Sequence, residues 1–158
     1  MRKQSFSLLP LFAAALSAAL LAPQARATTI AAARRDILKQ TMPYLNVPYL
    51  WGGVYPATGL DCSGFVQLVY HQVGLALPRV SQDQYRATVR LAPEQVLPGD
   101  LIFFAMKHPG TSRVDHVGIY LGKGLFIAAS VTAGIHVDLI SSPYYFQRLV
   151  AIRRYAGF

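Results

Sequence analysis

The hydrophobic period of this chain changes once, and that change limits the folds open to it. Before "LPGD" at 97–100, apolar residues recur at helical spacing; after it they alternate or come in short runs. Upstream, "TTIAAARRDILKQTMPYL" reads as a helix capped by Thr28 or Thr29, with Ile30, Ala33, Ile37, Leu38 and Met42 at helical spacing. "NVPYLWGGVYPATGL" reads as a loop, because Pro48, Gly52-Gly53 and Pro56 interrupt any regular element. A second helix is predicted to begin at Cys62. Asp61 is its N-cap, Phe65, Val66, Val69, Tyr70 and Val73 its apolar stripe, and Gly74 its stop. "SQDQ" at 81–84 spaces Ser and Gln as a capping box does, which predicts a short third helix through about Ala87. Downstream, 101–105, 116–122, 125–130, 134–140 and 149–155 read as strands, with "GKG" at 122–124 a tight hairpin turn. Helices followed by a meander predict an α+β domain, with an antiparallel sheet of five to six strands covered on one side by the N-terminal helices.

The first 27 residues are expected to lie outside that domain. Arg2 and Lys3 precede an apolar run from Leu8 to Leu21, and "ARA" at 25–27 supplies the small residues of a cleavage site. The run falls short of the roughly 20 residues that span a bilayer. A cleaved secretory signal over 1–27 is therefore expected, with one domain at 28–158, no stable membrane span after cleavage, and a location in the periplasm or cell envelope. Thr28, not a cysteine, stands directly after the cleavage point, which argues against a lipoprotein anchor. After cleavage 12 basic residues stand against 7 acidic ones, a balance suited to anionic surroundings such as cell wall, membrane surface or nucleic acid. The basic residues are scattered as singles and pairs (Arg34-Arg35, Arg153-Arg154), and RNA-reading aromatic spacings are not evident, so nucleic acid is not expected. Paired His/Cys spacing is absent, so neither a metal site nor a cofactor is implied. A monomer is assumed.

Cys62 is the only cysteine. In an exported chain it can be an intermolecular bridge, an inert buried thiol or a reactive nucleophile. Its place at a helix start suits the third role. The helix dipole and free N–H groups favour thiolate, and the same N–H groups can hold the oxyanion formed when sulfur adds to a carbonyl. Gly64 removes bulk beside it. A base is still needed, and four histidines are available. His71, nine residues along the same helix, is about 13 Å away along the axis. His108, in "MKHPGTS", reads as a surface residue of a polar loop. His116 opens a strand, where a side chain can project past the sheet edge, and His136 sits on a later strand. Spacing alone leaves His116 balanced between base and ordinary surface histidine. Trp51 and Tyr55 are candidates to line a substrate groove, with plain packing as the alternative.

"PYLWGG" (48–53), "DCSGFVQLVY" (61–70), "LPR" (77–79), "PGDLIFF" (98–104) and "HVGIYLGKGLFIAAS" (116–130) together resemble the NlpC family of bacterial cell-wall cysteine peptidases, most of all the small single-domain murein endopeptidases. The ordered set covers nearly all of 28–158. The resemblance implies a papain-like core and a cysteine endopeptidase that hydrolyses peptide stems or cross-links of peptidoglycan through an acyl-enzyme. It implies Cys62 as nucleophile, His116 as base, and Tyr49 with the Cys62 amide at the oxyanion. It also implies Asp61 and Ser63 as the pair shaping a pocket for the peptide's amino group.

One position departs from the pattern. Where the family carries a second His, Asn or Gln to orient the first, this chain has Ala128. A substituted position, a Cys–His dyad, and another side chain in the role are three open explanations. Pairing Leu125 with Leu139 and Ile127 with Val137 would set Ala128 opposite His136. Cross-strand neighbours lie about 5 Å apart, which makes His136 the candidate orienter. Ala128 also keeps in view a wall-binding protein of this fold with impaired chemistry; an exported peptidoglycan-cleaving toxin using the same chemistry is a separate alternative.

Overall fold

The computed structural model describes residues 29–158, and the signal-peptide expectation for 1–27 lies outside the described residues. Contacts divide the chain after Ala33. Of the first unit only 29–33 is described, and it is helical; residues 34–158 form the second unit. Helix α1 covers 29–41. The paired strands β1 (Val54–Tyr55) and β2 (Gly59–Leu60) precede α2 (Cys62–His71), α3 (Ser81–Arg86) and β3 (Thr88–Arg90). Then come β4 (Leu101–Phe104), β5 (His116–Gly122), β6 (Leu125–Ser130), β7 (Gly134–Leu139), α4 (Pro143–Phe146) and β8 (Leu149–Tyr155). The main sheet has six strands in the order β3-β8-β4-β5-β6-β7, every neighbouring pair antiparallel. None of the described helices is long and apolar enough to cross a membrane.

The apolar stripe of α2 packs on one face of this sheet. Phe65, Val66, Val69 and Tyr70 are buried with Ile37 of α1 and with Leu101, Phe103, Val117, Ile119, Ile127 and Ile135. The opposite face is not bare: Ile102, Phe104, Phe126 and Ala128 are buried under Tyr145 of α4. Covering on both faces explains why all four residues of β4 are buried and why "LIFF" is a run, not an alternation.

The β5–β6 hairpin turns through Lys123 and Gly124, both at positive φ (52° and 75°), as a tight two-residue turn requires. β6 and β7 pair in the register expected from their apolar residues: Leu125 faces Leu139, Ile127 faces Val137, and Ala128 faces His136. The outer side of β7 is partly covered. The Asn46 amide donates to the Ile135 carbonyl (2.8 Å), and the Ile135 amide donates to the Val47 carbonyl (2.9 Å).

Four expectations need correction. The predicted loop contains the β1–β2 pair, whose strands are too short to leave a periodic signal. β3 follows α3 directly and pairs with β8 from the far end of the chain. α2 ends at His71, and residues 72–74 form a turn before Gly74 at φ 79°. Ser81 and Gln84 do not form a capping box: Val80 is the N-cap residue, and no side chain caps α3. Gln84 turns inward instead, and its amide donates to the Ser63 and Pro78 carbonyls (3.0 and 2.9 Å). Gln84 is fully buried, and a buried side-chain amide left without acceptors costs more than an uncapped helix end at the surface.

The Leu97–Asp100 turn is held by charge. Asp100 is fully buried and accepts from Arg34 Nη2 (2.8 Å) and from Arg154 Nε and Nη2 (both 3.0 Å). Its Oδ2 also accepts from the Leu97 amide (2.8 Å). Removing the carboxylate leaves a buried guanidinium uncompensated. Asp100→Ala is therefore expected to lose about 3–5 kcal/mol of stability, measured by urea unfolding. A midpoint within error of wild type would show that the ion cluster contributes nothing net.

Candidate active site

Asp61 has extended backbone (φ −85°, ψ 174°), and its Oδ1 accepts the Gly64 amide at 2.7 Å, which makes it the N-cap of α2 and Cys62 the first helical residue. The same carboxylate accepts from Ser63 Oγ (3.2 Å), from the Gly52 amide (3.1 Å), and from both terminal nitrogens of Arg79 (3.0 and 2.6 Å). Burial pushes its pKa up, but the Arg79 and Gly64 hydrogen bonds outweigh burial and hold the carboxyl below its ordinary range. Arg79 also donates to Ser63 Oγ (3.0 Å). Asp61 and Ser63, expected to face a substrate amine, are thus both engaged by a guanidinium of this chain. Arg79 is the residue the sequence reasoning missed. It stands in the "LPR" fragment, but nothing in the linear sequence shows that its partner lies 18 positions upstream.

Gly64 has no room for a side chain. A Cβ there would meet the Gly53 carbonyl oxygen at 2.3 Å, so the loop carrying Trp51 rests directly on the first turn of α2. Tyr49 forms a parallel bridge to Leu60 at the other end of this loop. Its hydroxyl titrates above the usual tyrosine range through burial, then through the charges of Cys62 and Asp61, which places it within electrostatic reach of the nucleophile.

Cys62 is buried, at 8% exposure. The Val117 amide hydrogen bonds to its sulfur, as do the amides of Ser63 and Cys62 itself, and all three favour thiolate. Burial outweighs them, and with the Asp61 charge it pushes the thiol up to about 11. The amide groups act in the direction expected at a helix start, and desolvation opposes them. The Val117 contact joins the two halves of the site, since the preceding residue is His116, which opens β5.

His116 packs against Phe104, with ring centroids 5.9 Å apart. Burial lowers its pKa to about 4; the Asp115 charge opposes this and His136 adds to it. The resting pair at neutral pH is therefore an uncharged thiol and an uncharged imidazole. Among the described residues no hydrogen bond to a His116 ring nitrogen is present. His136 lies across from Ala128, within electrostatic reach of His116. Its Nδ1 meets the Gly134 carbonyl (3.0 Å) and its Nε2 meets Asp138 Oδ2 (2.5 Å). Tyr145 hydrogen bonds to Asp138 in turn, and burial followed by that bond raises its pKa.

Trp51 and Tyr55 are exposed, at 80% and 69%. Trp51 stands beside Gly52, whose amide binds Asp61, and so borders the site. Tyr55 sits on β1, with no contact that ties it to Cys62. His71 ends α2 and lines a separate, mostly apolar cavity of about 260 Å³ with Val54, Gly64, Gln67 and Leu77. His108 is exposed in the β4–β5 loop.

Residues 46–154 match the NlpC/P60 family. Over 120 residues the chain is 35% identical to the gamma-DL-glutamyl hydrolase of Bacillus subtilis (strain 168), covering 75% of this chain and 29% of that protein. Over 126 residues it is 35% identical to the murein DD-endopeptidase MepH of Escherichia coli (strain K12), covering 77% of this chain and 46% of that one. The chain thus spans less than half the length of either relative. Among solved structures, an NLP/P60 family protein of Staphylococcus aureus superposes with TM-score 0.69 at 39% identity, over 78% of this chain and 41% of the other.

With the thiol at about 11, roughly one Cys62 in ten thousand is thiolate at pH 7 in the resting protein. Alkylation by iodoacetamide is expected to rise about tenfold per pH unit from 7 to 10 and to level off near 11. A rate already at its plateau by pH 7 would show that the thiolate is preformed.

Proposed function

Because this chain belongs to the NlpC/P60 family, we propose that it hydrolyses peptide bonds of peptidoglycan through an acyl-enzyme on Cys62. The observation that carries this reading is the Val117 amide on the Cys62 sulfur, which brings the start of α2 and the start of β5, with its histidine, to one place. The signal-like pattern over 1–27 supports export to the periplasm or cell envelope, where peptidoglycan is met.

In this mechanism uncharged His116 takes the thiol proton as sulfur bonds to the substrate carbonyl carbon. The resulting oxyanion accepts from the Cys62 amide and the Tyr49 hydroxyl. Collapse breaks the C–N bond, and the imidazolium returns its proton to the leaving amine. Water, deprotonated by His116, then attacks the thioester and releases a carboxylic acid product and the free thiol. His116 must be unprotonated to begin, and its low pKa keeps it so down to about 4. The rate is therefore lost as pH falls through about 4, and not at the ordinary histidine value.

Ala128 offers His116 no hydrogen-bond partner. His136, opposite it, acts on His116 through its charge alone, since both of its own ring nitrogens are engaged by Gly134 and Asp138. Asp61, locked by Arg79, holds the loop and helix that shape the substrate groove, and Ser63 lies beside it.

Digestion of purified peptidoglycan, with fragments identified by mass, tests these assignments. Cys62→Ala is expected to release no fragments above background. His116→Ala is expected to lose about 10²–10⁴ in rate. His136→Ala is expected to lose activity by less than the roughly 10⁴ seen when an orienting group is removed from a serine-protease triad, and an unchanged rate would remove His136 from the site. If wild type pelleted with the wall and released nothing, the wall-binding reading that Ala128 favours would replace hydrolysis.

A further inference from the structure

A base that takes a proton from a thiol has to be held at one angle to it. Among the described residues no hydrogen bond holds the His116 ring, and Ala128 has none to offer. What His116 does have is a cross-strand partner. It pairs with Phe104 in the β4–β5 register, with ring centroids 5.9 Å apart and the planes tilted by 46°. Cross-strand ring pairs at this separation attract.

Phe104 is itself wedged. Phe126 and Tyr145 lie 5.0 and 5.4 Å from it and 4.8 Å from each other, so the rings close into a triangle beside the imidazole. Small residues leave room for it. A Cβ on Gly118 would sit 3.1 Å from Ala128 Cβ and 3.2 Å from the Phe126 ring. Ala128 is buried in the same cluster, where a longer side chain would compete with these rings for space.

Tyr145 is fixed at both ends. Its hydroxyl donates to Asp138, whose Oδ2 also meets His136 Nε2 (2.5 Å). Its carbonyl accepts the Arg148 amide (3.0 Å), and the Arg148 carbonyl accepts the amide of Ala105, next to Phe104 (2.8 Å). The four-residue helix α4 is thereby tied both to β7 and to the end of β4. A phenylalanine would fill the same space without Asp138, so the hydroxyl bond points to a demand for orientation as well as volume.

Resting on the hydrolase reading above, we propose that Phe104 and Tyr145 are positioning residues: their rings seat the His116 imidazole in place of the hydrogen bond that residue 128 does not supply, and Asp138 keeps the Tyr145 ring at its angle. Contact with Phe104 limits how far the imidazole can turn. The close-packed ring behind Phe104 stops that contact from yielding.

The first arm of the test measures kcat and KM on soluble muropeptides, with each rate normalised to the folded fraction found by urea unfolding. A misplacement of about 1 Å can cost about 10²-fold in rate, so Phe104→Leu and Tyr145→Leu are each expected to lower kcat by about 10- to 100-fold with KM within about twofold. Tyr145→Phe keeps the ring and is expected to lose less than Tyr145→Leu. The second arm needs no turnover. In Cys62→Ala protein carrying 13C-labelled histidine, the His116 ring signal is expected to be one narrow line displaced by the Phe104 ring. Adding Tyr145→Leu is expected to move or broaden it, while the signals of exposed His71 and His108 stay in place. Phe104 is fully buried, so if Phe104→Leu does not fold, Tyr145→Leu and the ring signal decide. Normalised rates equal to wild type overturn the seat, as does an effect on KM alone, which would make the cluster a wall of the groove. A His116 signal unmoved by Tyr145→Leu also overturns it. The hydrolase reading stands through all of these as long as Cys62→Ala is inactive; cleavage by Cys62→Ala at the wild-type rate would remove that reading, and the seat's role in catalysis with it.

Discussion

One carboxylate organises the functional end of this molecule. Asp61 starts α2, ties down the loop at Gly52, and binds Arg79 with both oxygens. The position of Cys62 follows from the first of these bonds, and that of Trp51 from the second. The third fixes the segment before α3. A neutral residue at 61 could cap a helix about as well, but it could not also hold a guanidinium. The tight seat of Gly64 on the Gly53 carbonyl adds a steric condition to this electrostatic one. Loop and helix are therefore placed as one piece against the sheet.

The electrostatics of the pair differ from those of a nucleophile kept ionised in advance. Burial opposes charge on both Cys62 and His116, so transfer of the proton from sulfur to nitrogen is uphill in the empty site. Such a site spares its thiol from chance oxidation and alkylation, because thiolate is the reactive form. It also makes the surroundings supplied by a bound peptide part of the chemistry.

Most of the sheet was legible because its strands are short, apolar and closely spaced. The β6–β7 register could be read from two apolar pairs, Leu125 with Leu139 and Ile127 with Val137, and it placed His136 opposite Ala128 as observed. The N-cap at Asp61 was equally plain, since Asp before an apolar helical stripe has one usual meaning. The failures are tertiary. Gln84 has the right spacing for a cap, yet it is fully buried and its amide goes to carbonyls of other segments. β3 is three residues long and exists because β8 returns beside it. Arg79 gains its meaning from a partner that only folding brings near. At Cys62 likewise, the amide groups are local and visible in the sequence, whereas the packing that buries the sulfur is not.

The hydrogen bonds that residues 46–47 make to Ile135 bear on more than the fold of one chain. A terminal strand with bare amides and carbonyls invites a neighbour's strand to join it. Here one margin of the sheet is occupied by the chain's own passing segment, and the other is a three-residue strand ending in Arg90. A neighbour's strand therefore finds the start of β7 already taken and only three residues to join at β3.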